Sequence, residues 1–266
     1  MTGNENERTP SMWDADRYLR FADERARPFF DLVERIDHPA PKRVVDLGCG
    51  TGRLTATLVE RWPEALIVGV DSSQEMIARA LGLAVPGRLE FVLDDVAQWQ
   101  GDEPYDVILS NACFHWIPDH RRLLADLVPQ LALGGVLAFQ VPDNFSAPSH
   151  VLVREVVESP AWRDRLGDLR RAAVETPEWY VDVLESLGLE AEAWQTTYTH
   201  TLEGDNPVLE WLSGTTLCPV SARLDDEERQ QFVDQLAPLL REAYPSGPEG
   251  TSFPFRRLFV IASRSD

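Results

Sequence analysis

Val44-Val45-Asp46-Leu47-Gly48-Cys49-Gly50-Thr51-Gly52, residues 44–52, decides the fold. A short apolar run, RVVDL (43–47), enters three glycines at alternate positions. TGRLTATLVERW (51–62) then carries helical periodicity. Glycine lets the chain turn sharply and lets a ligand approach the backbone closely. Dinucleotide folds space their glycines G-x-G-x-x-G. Here Gly48, Gly50 and Gly52 read G-x-G-x-G, and position 53 is Arg. The preceding Asp46 suits a cationic ligand better than a pyrophosphate.

Working outward, strands and helices alternate. ALIVGVD (65–71) reads as a second strand and SSQEMIARALGL (72–83) as a helix, with Ser72 or Ser73 as N-cap and Glu75 or Met76 in its first turn. RLEFVLDD (88–95), YDVILSN (105–111) and GGVLAFQVP (134–142) are three further strands, the last two separated by a helix over 119–133. Continuously apolar strands alternating with helices predict a parallel sheet covered on both faces. Ligands of such sheets sit outside the carboxyl ends of the strands. Asp71 ends the second strand, where an acid accepts both hydroxyls of a ribose. Asp94-Asp95-Val96 follows the third, where a carboxylate and the next amide suit an adenine edge. Asn111 ends the fourth. Four neighbouring strand ends thus carry groups fitted to one ribose–adenine ligand with a positive centre.

Residues 14–36 have near-helical apolar spacing that Pro28 should break or restart, and HPAP (38–41) reads as a linker. Beyond Pro142, residues 143–157 read as a loop entering a helix, further helices are predicted at 176–189, 206–213 and 225–243, and strands at 190–202 and 253–264. The domain reading is a tail and lid helix over 1–41, a cofactor-binding core over 42–142, and helical cap insertions with the last two strands over 143–266.

The net charge is −19, a field that repels nucleic acid and anionic membranes. This argues against a nucleic-acid or membrane partner. Cys49, Cys113 and Cys218 offer neither a disulfide framework nor zinc spacing, and no metal is expected. Together with a start that lacks signal-peptide character and apolar runs too short to span a bilayer, they indicate a soluble cytoplasmic protein.

Asp46, Gly48, Gly50 and Gly52 match the D-x-G-x-G-x-G motif, and the chain resembles class I S-adenosylmethionine-dependent methyltransferases. The resemblance implies an α/β, Rossmann-like seven-stranded sheet of order 3-2-1-4-5-7-6, the seventh strand antiparallel, with a helical cap. It implies S-adenosylmethionine as cofactor and S-adenosylhomocysteine as product, with Asp71 on the ribose and Asp95 on the adenine. Ser72, Met76, Val96 and Asn111 would lie beside them. WDADRYLRFADERARPFFDLV, SNACFHWIPDH, QVPDNFSAPSH, TTYTHTL, NPVLEWL and FPFRRLFVIA are similar to the trans-aconitate 2-methyltransferase family, although His115-Trp116 stands where some relatives carry Gln-Trp. Such enzymes form a methyl monoester on a carboxylate of a small polycarboxylic acid.

A carboxylate is ionised at neutral pH, since its reference pKa is about 4, and needs no essential base. Alignment and exclusion of water suffice. His115 and Trp116 are the positioning candidates. Tyr18, Arg25, Arg27, Tyr198, His200 and Arg256 are further candidates for holding the acid. Strand side chains alternate, so only one of Arg256 and Arg257 can face inward, and Arg256 is taken as that one. Two alternatives remain at this point. One is a hydroxyl methyltransferase with His115 as base; the other is a non-catalytic cofactor-binding protein.

Overall fold

The computed structural model describes residues 22–169 and 174–265, with side chains from Ala26 onward. Eight strands form one mixed sheet: β1 Arg43–Leu47, β2 Leu66–Asp71, β3 Leu89–Leu93, β4 Tyr105–Asn111, β5 Leu131–Pro142, β6 Leu189–Leu202, β7 Ser246–Gly247 and β8 Gly250–Arg264. The order is β3-β2-β1-β4-β5-β8-β6. Strands β1 to β5 pair in parallel and β8 runs antiparallel to β5. This is the expected order, with β8 in the place of the seventh strand. The extra strand, β7, is a two-residue arm paired to the start of β8, too short to leave an alternation in the sequence.

The helices are α1 Ala22–Glu34, α2 Arg53–Arg61, α3 Gln74–Ala80, α4 His120–Leu127, α5 Pro148–Glu158, α6 Arg163–Leu166, α7 Pro177–Ser186, α8 Pro207–Ser213, α9 Cys218–Ser221 and α10 Asp226–Ala243. Two expectations need correction. Pro28 lies inside α1 and does not break it. The proline removes one backbone donor, but continuing the helix buries Phe29, Leu32 and Val33. The helix expected over 119–133 stops at Leu127. Val128–Gln130 tightens into a 3₁₀ turn carrying Pro129, and β5 starts at Leu131.

The chain divides into two compact units. The sheet unit holds the described parts of Arg25–Asp143, Ala172–Tyr198 and Arg256–Asp266. Alternation along its strands sends Val45, Leu47, Val70 and Ile108 to one face, under Leu123, Leu124 and Leu127 of α4 and Tyr180, Val183 and Leu184 of α7. Val44, Ile67, Val107 and Leu109 go to the other, against Phe29, Leu32 and Val33 of α1 and Leu58 of α2. Both faces are dry, as continuously apolar parallel strands require. The helical unit, drawn from the described parts of Met1–Glu24, Asn144–Arg171 and Thr199–Phe255, has its own core around Trp162, Trp211, Phe232, Leu236, Leu240 and Phe253. No helix among the described residues is long and apolar enough to cross a membrane.

Candidate active site

The register of the sheet unit brings the predicted strand ends to one edge. Leu47 pairs with Val70, Asp71 with Leu93 and Asn111 with Gln140. All three motif glycines take left-handed backbone angles, with φ of 83° at Gly48, 56° at Gly50 and 73° at Gly52. Two of them are also glycines for want of space. A Cβ on Gly48 would meet Cys113 Sγ at 2.5 Å, and one on Gly52 would meet the Phe91 ring at 2.5 Å. Gly50 differs, because no atom of the described residues lies within 4 Å of a Cβ built there. Open space in front of a turning backbone is what a ligand cradle needs.

Asp71 grips the loop from below. Its carboxylate accepts from Gly50 N at 2.9 Å and from Ser73 N at 2.8 Å. Ser73, not Ser72, caps α3 by accepting from Met76 N at 3.3 Å, so Asp71 is released from that duty. Each carboxylate oxygen accepts more than one hydrogen bond, which leaves capacity for a ribose. Asp95 is exposed and accepts from Ala97 N and from the Gln98 side chain, while the next residue, Val96, is buried. Ser72 is exposed and Met76 buried.

Asp46 carries the strongest electrostatic signal. It is buried, and Oδ2 accepts from Thr55 Oγ1 at 2.6 Å. Oδ1 has no partner among the described residues. Burial raises its pKa from 3.8 to about 7, the Thr55 hydrogen bond opposes that rise, and the charge on Asp71 adds to it. A buried acceptor left open calls for a donor or a cation. Burial also pushes the Cys113 thiol up to about 12, with Asp71 and Asp46 adding to the shift, so it stays a neutral packing group.

Asn111 Oδ1 accepts from Gln140 Nε2 at 2.7 Å, and Gln140 Oε1 accepts in turn from Arg257 Nη1 at 3.4 Å. Gln140 and Arg257 are both buried. Arg256 instead bonds Asp143 through the carbonyl at 3.0 Å and the carboxylate at 2.9 Å, with its side chain 40 % exposed. The expected alternation is present with its phase reversed. Phe253, Phe255 and Arg257 share the buried side of β8, and Arg256 lies on the other. Tyr198 is buried, donates to Asp31 Oδ2 at 2.5 Å and sits beneath the Arg27 guanidinium. Burial and then Asp31 raise the Tyr198 phenol, and the Arg257 charge opposes them. His115 is buried on a 3₁₀ turn, Phe114–Trp116, that follows β4, with its ring 4.8 Å from that of Trp116.

A family model described as a methyltransferase domain matches residues 18–193. A trans-aconitate 2-methyltransferase of Streptomyces avermitilis is 48 % identical over 260 residues, covering 95 % of this chain and 97 % of that one. Another, from Rhodococcus jostii, is 48 % identical over 257 residues, covering 94 % and 99 %. The chain belongs to the trans-aconitate 2-methyltransferase family. It is thus a methyltransferase, with S-adenosylmethionine as cofactor. The fold is shared with the YcgJ protein of Bacillus subtilis, at a TM-score of 0.59 and 13 % identity, covering 90 % of this chain and 99 % of that one.

In this member of the trans-aconitate 2-methyltransferase family, the sheet unit gathers Asp46, Gly48, Gly50, Gly52, Asp71, Asp95 and Asn111 along its strand ends. Arg27 and Tyr198 meet at α1. His200 belongs to the helical unit, where it stacks on Trp211 at 4.9 Å. Tyr18 and the Arg25 side chain lie outside the described residues. Sequence reasoning missed Cys113, Gln140 and Tyr180. Gln140 had a signal, since it is the one polar side chain within the apolar run VLAFQV (136–141).

Proposed function

We propose that the protein methylates one carboxylate of trans-aconitate, giving a methyl monoester, and works in the cytoplasm on small acids without a nucleic-acid or membrane partner. The observation that carries this reading is the 48 % identity, along 95 % of the chain, with a relative of that name. The hydroxyl-methylating and non-catalytic alternatives lack such support.

The residues present fit the cofactor, as judged by the open acceptor on Asp46 and the space before Gly50. When bound, S-adenosylmethionine supplies a methyl group on positively charged sulfur. In this reading Asp46 meets the positive end of the ligand. Asp71 accepts from the ribose while holding Gly50 and Ser73, and Asp95 and Val96 meet the adenine, with Ser72 and Met76 nearby; Asn111, at the end of β4 and three strands from β3, borders the opposite end of the ligand. The acid arrives ionised, so no residue has to remove a proton from it. Arg257, a buried cation tied through Gln140 to Asn111, is suited to orient a carboxylate. Tyr198 and Arg27 are close candidates for the remaining carboxylates. Trp116 would wall off water, and His115 would donate to the acid.

The test is transfer of labelled methyl from S-adenosylmethionine to trans-aconitate, with cis-aconitate, citrate and a phenol panel as controls. The expected product is a base-labile monoester of trans-aconitate. Incorporation into phenols alone, or into none of the compounds, would overturn the reading.

A further inference from the structure

His120 makes contacts that the cofactor site does not use. It is buried at the start of α4, and both ring nitrogens are engaged. Nε2 lies 2.8 Å from the carbonyl oxygen of Phe114, and Nδ1 lies 2.5 Å from the hydroxyl of Tyr180 on α7, 60 residues away. A carbonyl can only accept, so Nε2 carries the proton, and in the neutral ring Nδ1 accepts from the tyrosine hydroxyl. Burial, the largest influence on the ring, lowers its pKa and favours that neutral form. Tyr180 is held in turn by ring contacts with Phe139 at 5.3 Å and Trp179 at 5.2 Å, and it is fully buried. The Phe114 carbonyl belongs to the 3₁₀ turn that carries His115 and Trp116. The same turn begins beside the strained Ala112, with φ of 54°, so its path is not set by local preference alone.

We propose that His120 is a positioning residue. Locked by Tyr180 as the Nε2–H tautomer, it fixes the Phe114–Trp116 turn and thereby sets where His115 and Trp116 meet the acid. The second half of that statement rests on the trans-aconitate reading; the first half does not.

Four variants of the full chain test it: His120→Ala, His120→Asn, His120→Gln and Tyr180→Phe. Glutamine can return an N–H to the place of Nε2, whereas asparagine mimics only the Nδ1 side. Calorimetry with S-adenosylhomocysteine checks that each variant folds and binds cofactor, and affinity should stay within about twofold of wild type, because the cofactor groups lie elsewhere. The KM for trans-aconitate should rise about tenfold or more in His120→Ala and His120→Asn, and should be largely restored in His120→Gln, on the usual scale for a misplaced contact. Tyr180→Phe, the mildest change, should fall between. Fluorotryptophan labelling, with the Trp116 resonance assigned through Trp116→Phe, should show that resonance displaced in His120→Ala and returned in His120→Gln. An unmoved Trp116 resonance in His120→Ala, or recovery in His120→Asn equal to that in His120→Gln, would overturn the proposal. If trans-aconitate is no substrate for wild type, the substrate reading fails alone, and the resonance still decides the role of His120.

Discussion

Asp46 should couple cofactor binding to pH. Its carboxyl is buried, with one oxygen open, and its pKa stands at about 7 instead of 3.8. If the positive end of the ligand binds only the ionised form, about a tenth of the protein is competent at pH 6 and roughly three quarters at pH 7.5. The affinity for S-adenosylhomocysteine should therefore strengthen about eightfold over that interval, with proton release on binding. Calorimetry in two buffers of different ionisation heat reads both quantities. The stability of the unliganded protein should move the opposite way. A carboxyl whose folded pKa is raised favours the fold fully below pH 3.8, and this contribution is lost as pH rises through about 7, a loss on the order of 4 kcal/mol. Asp46→Asn should flatten both dependences, raising the Tm of the unliganded protein more at pH 8 than at pH 5. It should also weaken the ligand by about 1.5–3 kcal/mol, the scale of a hydrogen bond to a charged group. Undiminished affinity at pH 6 with no proton release would refute the reasoning, as would an Asp46→Asn variant that keeps the wild-type slope.

Arg257→Met should raise the KM for the acid between about tenfold and a hundredfold while leaving S-adenosylhomocysteine binding intact. Arg256→Met, which loses a partly exposed pair with Asp143, should change it less than about threefold. Steady-state kinetics on the two variants checks the assignment, and equal effects would overturn it. Ala112→Gly should raise Tm by about 1–3 °C, because the left-handed angle strains alanine while glycine adopts it freely, at some expense in chain entropy. A lower Tm by calorimetry would mean that the turn after β4 is not strained.

The strands and the acids at their ends were legible because each depends on a local pattern, an apolar run followed by a turn, whereas the order of the sheet came only from the family resemblance. The exchange at Arg256 and Arg257 was a matter of phase. Phe253 and Phe255 have the same parity as residue 257, and counting back from them would have put Arg257 on the buried side. The ties of His120 to Tyr180 and of Gly48 to Cys113 were not legible. Each joins residues whose proximity exists only after distant strands and helices have packed. Pro28 and Pro129 make the same point from two sides. One is tolerated because its helix buries a full apolar face, and the other sits where the helix gives way to a buried strand.

The division of the chain has a consequence for recombination between relatives. Besides the segment ending at Glu24, the helical unit is spliced in at two places, and two of its junctions, Tyr198/Thr199 and Phe255/Arg256, fall inside β6 and β8. A chimera joined at those borders would cut through hydrogen-bonded ladders and combine half-strands with unmatched partners. Viable exchanges should carry β6 and β8 whole, so sequence blocks inherited together in this family are expected to end at the turns flanking those strands.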